Sequence, residues 1–440
     1  MLTTKKRTGC VLAMYLLIPI AGLQISAQTP ARSSEQLWTE IKNYVRDGRA
    51  EILREGKRYD RDEQERLLRK RRKQAEDYAK EIAARKGLEA DDYFYLGMLY
   101  DACEKFEEAQ AATRKYLELA PRDTAHFKIQ SVKNAIVVFA ARTKDFDLME
   151  SMFEDWLKGE TTEADRQELE HVMAVYLYKG KEYEKSVRYA ESAWEGAKNA
   201  PARNLAERRK KDKFYGDLVE VLAAAYRKSD RKDDALRLLA EGRAMSFTIP
   251  SANLYRKVMT LVEGWRISER KLMEQLESFP ASGPAPELSI EEWIGEEAGS
   301  LEGLRGKVVL IDFWYTWCGP CISTFPRLRG WHKKYGPEGL VVIGVTGYEG
   351  GKDGQRMTKL QEQEFLEEFK QKFKLPYSFA LQDVGRSSEA EYGVGAYPTT
   401  VLIDRNGVIR YIGIGAGREE NENLGDMIKK LVREESAALE

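Results

Sequence analysis

The feature that most constrains the fold of this 440-residue chain is an apolar run that ends at a pair of cysteines. Val308-Val309-Leu310-Ile311-Asp312-Phe313 leads into Trp314-Tyr315-Thr316-Trp317-Cys318-Gly319-Pro320-Cys321. A short apolar run rich in β-branched residues, bounded by turn residues, reads as a buried strand. Ile322 to Tyr335 continues it as helix. Cysteines three positions apart are neighbours on a first helical turn. Their Cα atoms then fall in the window of about 4.4–6.8 Å that a disulfide needs. At a helix N-terminus, unpaired amides and the helix dipole favour a thiolate on Cys318. A thiol pKa lowered toward ~7 makes attack on a disulfide efficient. Cys321 lies one turn further in and is the less exposed of the two. Cys318 is therefore expected to attack and Cys321 to resolve the mixed disulfide. Pro320 suits the first turn because its missing N–H has no partner to lose.

Further motifs follow in order. Gly283-Pro284-Ala285-Pro286-Glu287-Leu288 and Leu304-Arg305-Gly306-Lys307 precede the strand, and Gly395-Ala396-Tyr397-Pro398-Thr399-Thr400-Val401-Leu402-Ile403-Asp404 follows the helix. With the cysteine pair, they make residues 283–435 resemble the TlpA/ResA-type extracytoplasmic thioredoxins. The resemblance implies an α/β thioredoxin fold over 287–440 and a thiol-disulfide oxidoreductase acting on protein thiols or disulfides. It makes Asp312 a candidate general base for Cys321, since a desolvated carboxylate exchanges protons near neutrality. It identifies Tyr397-Pro398 with a loop whose proline is cis in the family and which faces the cysteine pair. Tyr397 and Pro398 are thus expected to touch substrate by strand addition, with Trp317, Gly319 and Pro320 beside them; Trp314 and Trp317 border the site or simply pack. No organic cofactor and no metal are implied, the redox centre being the Cys318–Cys321 disulfide. The Gly-Pro pair resembles that of reducing thioredoxins, with potentials near about −270 mV. A reductase outside the cytoplasm needs recharging, which points to a membrane electron donor. One departure is Thr324, where many TlpA/ResA-type proteins carry an acid.

The remaining elements suit this fold. Leu340 to Val345 reads as a second buried strand and Gln363 to Phe373 as an amphipathic helix. Asp404-Arg405-Asn406-Gly407 is a turn between strands 399–403 and 408–414, and a last helix covers 422–435. Gly347 to Gly354 is glycine-rich but lacks the Gly-Lys-Ser/Thr of a phosphate-binding loop.

Glycine usage separates this region from the rest. Residues 28–275 hold 10 glycines and residues 276–440 hold 22, so the first region reads as mostly helix and the second as sheet and helix. Three prolines between Pro280 and Pro286 make 276–286 a stiff, extended linker. Within 28–275, Tyr93-Phe94-Tyr95-Leu96-Gly97-Met98-Leu99-Tyr100 is followed by Phe106, Ala109 and Pro121. This spacing resembles the tetratricopeptide repeat, in which small residues at helix crossings allow close approach. Weaker copies hold Ala223, Tyr226 and Ala235; Ala174, Tyr183 and Ser186; and Val137, Phe146 and Met149. The second-helix positions 109, 149, 186 and 235 lie 40, 37 and 49 residues apart, an irregular array of helical hairpins that stack because none buries its face alone. Such an array implies a protein or peptide partner. Residues 35–82 read as one or two long charged helices. The basic runs Arg69 to Lys73 and Arg208 to Lys211 read as solvated helix faces, and His126 and His171 as structural.

The first 27 residues combine Lys5, Lys6 and Arg7, an apolar run from Val11 to Leu23, and a small-residue exit at Ser26-Ala27. That pattern is a secretory signal peptide. The run falls short of the ~20 residues of a spanning helix, an uncleaved anchor being the alternative. The expected location is extracytoplasmic, in a periplasm. Of four cysteines, Cys10 belongs to the signal, Cys103 reads as a buried apolar residue, and two form the pair. The formal net charge of −1 gives no pull toward nucleic acid. A peroxiredoxin needs a Pro-x-x-x-Thr/Ser-x-x-Cys pattern, but Tyr315 and Ile311 occupy those positions. Zinc would need a second ligand pair near Cys318 and Cys321, and His332 is unpaired. The competing reading is a non-enzymatic repeat scaffold whose thioredoxin-like domain mainly binds; two retained sulfurs weigh against it.

Overall fold

A computed structural model describes residues 32–199, 202, 204–276, 283–352, 355–383 and 385–434. The export segment 1–27 with Cys10, residues 277–282 of the linker and the last six residues lie outside them. The chain divides after Lys105 into two compact units.

In the first unit, α1 (Ser34–Arg54), α2 (Arg61–Ala83) and α3 (Ala90–Ala102) pack on one another. The charged stretch 35–82 thus forms two helices. The Ser33 side chain accepts the Gln36 N–H, and the Gln36 side chain accepts the Ser33 N–H, which fixes where α1 starts. Leu37, Ile41, Leu67, Ala75, Ala79, Ile82 and Leu99 are buried, while the basic and acidic residues between them face water.

The second unit begins with α4 (Phe106–Leu119), α5 (His126–Thr143), α6 (Phe146–Leu157), α7 (Glu163–Lys179), α8 (Tyr183–Asn199), α9 (Leu205–Lys228), α10 (Lys232–Thr248), α11 (Ala252–Gly264) and α12 (Glu269–Leu276). α5 packs on α6, α7 on α8 and α9 on α10, and successive pairs stack through α5 on α7 and α8 on α9. These three hairpins and the end of α3 share one turn. Glu104, Lys144, Lys181 and Asp230 all adopt left-handed backbone, with φ between 58° and 70°. The next N–H, of Lys105, Asp145, Glu182 and Arg231, donates to the carbonyl five residues back at 2.8–2.9 Å. This Schellman-type ending satisfies carbonyls that a helix end leaves orphaned. Five residues beyond each turn residue stand Ala109, Met149, Ser186 and Ala235, all at most 2% exposed. Those are the four positions read from the sequence as the repeat's second-helix contacts. At one of them the contact is polar: the Ser186 hydroxyl donates to the Ala174 carbonyl across the hairpin at 2.8 Å.

The rest of this unit is one six-stranded sheet with helices. In chain order it comprises β1 (Ile290–Ile294), β2 (Val308–Phe313), α13 (Gly319–Tyr335), β3 (Leu340–Gly347), the two-residue β4 (Gly351–Lys352) and β5 (Gln355–Arg356), α14 (Lys359–Lys372), β6 (Ser378–Gln382), α15 (Ser387–Glu391), β7 (Thr399–Ile403), β8 (Ile409–Ile414) and α16 (Arg418–Arg433). The large sheet runs β1-β6-β3-β2-β7-β8. β2 is parallel to β3 and antiparallel to β7, setting Asp312 opposite Gly344 and Thr400. Every residue of β2 is buried, which is why its sequence is apolar without alternation. Val308 and Leu310 enter a core shared with α13, α14 and α16. Val309, Ile311 and Phe313 enter the opposite core, whose members include Phe247 and Ala252 of the helical region.

That second core joins the helical region to the sheet. Residues 283–286 run extended: the Ala285 N–H donates to the Gly407 carbonyl at 2.9 Å and the Ile409 N–H to the Gly283 carbonyl at 3.2 Å. A Cβ on Gly283 would lie 2.9 Å from the Thr248 backbone, so the chain passes α10 where only glycine fits. The expected solvated face at Arg208 to Lys211 is corrected at three residues: the Lys211 ammonium is buried, and both arginines grip backbone. Arg208 donates to the carbonyls of Pro250 and Glu391, and Arg209 to those of Gly385 and Arg386. Among the described residues, no helix is long and apolar enough to cross a membrane.

Candidate active site

Cys318 is the N-cap of α13, Gly319 its first residue and Pro320 its second. Pro320 removes a donor that has no carbonyl to meet at this position. The Cys321 N–H, which a longer helix would have occupied, donates to the Cys318 sulfur at 3.2 Å. That amide and the helix dipole both stabilise negative charge on Cys318. The two cysteines are joined as a disulfide, with their Cα atoms 5.3 Å apart. Cys318 is 4% exposed and Cys321 0%, so access is graded in the order the sequence predicts. Thr324 turns inward and its hydroxyl donates to the Cys321 carbonyl at 2.7 Å, a helix-internal bond in place of the acid found in many similar proteins.

Asp312 lies on the face of β2 that bears Leu310, toward the core holding both cysteines. It is wholly buried, and neither carboxylate oxygen has a hydrogen-bond partner. Burial alone raises its pKa from 3.8 to about 7, because nothing nearby compensates the charged form. Burial pushes the Tyr377 hydroxyl well above its usual range, and the Asp312 charge adds to the shift. Trp314 is 0% exposed and packs on Phe325, Phe369 and Phe379 with ring centroids 4.9–5.3 Å away. It is a core residue and does not border the site.

Trp317 is the exposed wall, at 64%. It stacks on Tyr315 at 5.6 Å and meets Tyr397 edge-on at 5.8 Å. The Tyr397-Pro398 bond is cis, Tyr397 is half-buried, and Pro398 is buried. The structure therefore gathers Trp317, Tyr397 and, through Tyr315, the cysteine turn into one surface.

Two buried residues behind this surface were not read from the sequence. Tyr315, almost fully buried, donates its hydroxyl to Glu389 at 2.7 Å, and Gln382 donates to the same carboxylate oxygen at 2.6 Å. The Tyr397 ring packs edge-on against Tyr315 at 4.9 Å and lies within reach of the Glu389 charge. Burial and the Glu389 charge push both tyrosines well above their usual range, so both stay neutral donors. Glu389 sits 74 residues from Tyr315, and no local pattern announces it. Thr316 adds a third polar contact, donating to Glu349 at 3.0 Å.

A family profile described as Redoxin matches residues 280–428. Over 152 residues the chain is 30% identical to the thioredoxin-like protein YneN of Bacillus subtilis (strain 168), a match covering 34% of this chain and 81% of that protein. Over 148 residues it is 30% identical to the thiol-disulfide oxidoreductase ResA of Bacillus anthracis, covering 33% and 76%. Over 137 residues it is 33% identical to ResA of Geobacillus thermodenitrificans (strain NG80-2), covering 31% and 71%. The matched stretch is the sheet-and-helix region that carries Cys318 and Cys321, and through it the chain belongs to the thioredoxin-like thiol-disulfide oxidoreductases.

Proposed function

We propose that the protein is an exported protein-disulfide reductase whose helical repeat recruits a protein or peptide partner. The observation that carries the reading is the Cys318–Cys321 disulfide at the start of α13, with the Cys321 N–H on the outer sulfur. The working form is the dithiol. The Cys318 thiolate attacks a substrate disulfide, forming one S–S bond and expelling one substrate thiolate. Cys321 gives its proton to Asp312, and its thiolate attacks the Cys318 sulfur. The second substrate thiolate leaves, and the Cys318–Cys321 disulfide remains. Two electrons pass to the substrate, whose two thiolates take up two protons.

A carboxylate near pKa 7 accepts the Cys321 proton and returns it at neutral pH. Trp317, Gly319, Pro320, Tyr397 and Pro398 form the substrate contact, an exposed aromatic wall beside a turn that offers backbone groups to an extended segment. The signal-like sequence 1–27 supports a location outside the cytoplasm, in a periplasm. There the disulfide is returned to the dithiol by a membrane electron donor of lower potential.

The test is insulin-disulfide reduction by the full chain with dithiothreitol as donor. The wild type is expected to accelerate it and Cys318→Ser to abolish the acceleration; equal rates would remove the assignment. Cys321→Ser is expected to stall substrates as mixed disulfides at Cys318, which names them directly. A chain that neither reduces insulin nor traps a protein would leave a scaffold.

A further inference from the structure

The segment from 385 to 397 carries Glu389 and Tyr397, and α9 holds it along its backbone. Arg209 donates to the carbonyls of Gly385 and Arg386, the second at 3.1 Å. Arg208 donates to the Pro250 carbonyl and, at 3.4 Å, to that of Glu391. Just beyond, the Ala252 N–H donates to the Tyr392 carbonyl at 3.0 Å and the Asn253 N–H to the Gly393 carbonyl at 2.9 Å. These two amides belong to the first turn of α11, whose donors have no helical partner. Asp212 fixes that turn: it accepts from the Ser251 hydroxyl and, at 2.5 Å, from the Asn253 side chain, and it pairs with Arg208 at 3.5 Å. Asp212 is 2% exposed, and a buried carboxylate persists only when paired and hydrogen-bonded in this way.

The geometry points to Arg208, Arg209 and Asp212 as positioning residues for substrate engagement: the helical repeat, through α9, sets the place of the segment that holds Tyr397. The path is continuous. The clamp holds both ends of α15, α15 carries Glu389, Glu389 holds the Tyr315 hydroxyl, and the Tyr315 ring packs edge-on against Tyr397 beside Trp317. Arg386, whose carbonyl Arg209 grips, also lies 5.0 Å over the Tyr315 ring. Backbone carbonyls are the gripped groups, so the clamp fixes position without depending on the side chains of the segment. Its substrate consequence rests on the reductase reading above; the clamp itself does not.

Arg209→Ala tests it, because that side chain is exposed and its loss leaves the core intact. In the full chain, amide hydrogen exchange over 385–397 is expected to speed on the order of tenfold, in line with a locally loosened segment. The KM for insulin is expected to rise about tenfold while kcat holds, since substrate positioning is lost and not the thiol chemistry. The rate of the dithiol form with a small aromatic disulfide is expected to stay at the wild-type value. Arg209→Lys, which keeps one donor, is expected to recover part of both changes. Arg208→Ala adds a second arm. Unchanged exchange in both alanine variants overturns the clamp, and faster exchange with unchanged KM overturns its role in substrate engagement. A wild-type chain inactive toward insulin and the small disulfide would sink the reductase reading instead, and exchange would then decide the clamp alone.

Discussion

Asp312→Asn should change how stability depends on pH, by an amount set by burial. The carboxyl is wholly buried with both oxygens unpartnered, and its pKa rises from 3.8 to about 7. Between those values the folded chain keeps a proton that the unfolded chain has released. Stability contributed by this neutral carboxyl is therefore complete below 3.8 and lost as pH rises to about 7, beyond which the loss is constant. At about 1.4 kcal/mol per tenfold change in proton activity, the full loss is about 4 kcal/mol, of which about 2–3 kcal/mol falls between pH 5 and pH 8. Asparagine titrates nowhere in this range, so its own cost as a buried amide is a fixed offset. The measurement is urea unfolding of the oxidised chain, wild type against Asp312→Asn, at pH steps from 5 to 8. Histidines common to both chains cancel. The variant should gain about 2–3 kcal/mol relative to wild type across the range. A difference flat to within about 0.5 kcal/mol would show that Asp312 is ionised in the fold at pH 5, and its part in proton exchange with Cys321 would go with it.

Other substitutions separate packing from chemistry. Trp314→Ala, at 0% exposure among three phenylalanines, should cost about 3–5 kcal/mol in denaturant unfolding. Gly344→Ala would set a Cβ 2.9 Å from the Trp314 indole nitrogen and should cost about 1–3 kcal/mol by overpacking. Trp317→Ala, at 64% exposure, should leave the melting midpoint nearly unchanged and raise the KM for insulin. In the reduced chain, iodoacetamide followed by mass spectrometry should find Cys318 alkylated well before Cys103, whose thiol is buried and pushed above its usual pKa.

What the sequence disclosed follows how local each signal is. The cysteine turn, β2 and the 404–407 turn depend on neighbours in the chain, and all three appear where expected. Helix α14 starts at Lys359, four residues before the expected Gln363, because Thr358 and Gln361 form a capping box upstream of the apolar pattern. β1 and β6 were missed. Each is five residues long, and β1 is half exposed with a register shift, which erases the periodicity that marks a strand. The repeat was legible because each hairpin reuses the same local turn. Arg208 and Arg209 were misread because their acceptors are carbonyls about 40 to 180 positions away, and a carbonyl leaves no trace in residue type. Glu389 escaped for the same reason.

The uneven step of 49 residues between the turns at 181 and 230 has a consequence for how this chain can be divided. α9 is 24 residues long, against 17 for α7. The added turns lie at its start and carry Arg208 and Arg209. The longest interval in the array is thus the anchor of the array to the sheet, not a decayed copy. The proline-rich junction looks like the natural place to cut. A fragment beginning there would strip Phe247 and Ala252 from the second core and leave an apolar face bare. A redox unit that keeps this face covered retains α9 to α11. α9 to α11 thus serve the array and the enzyme at once, lying in the core of the first and on the face of the second.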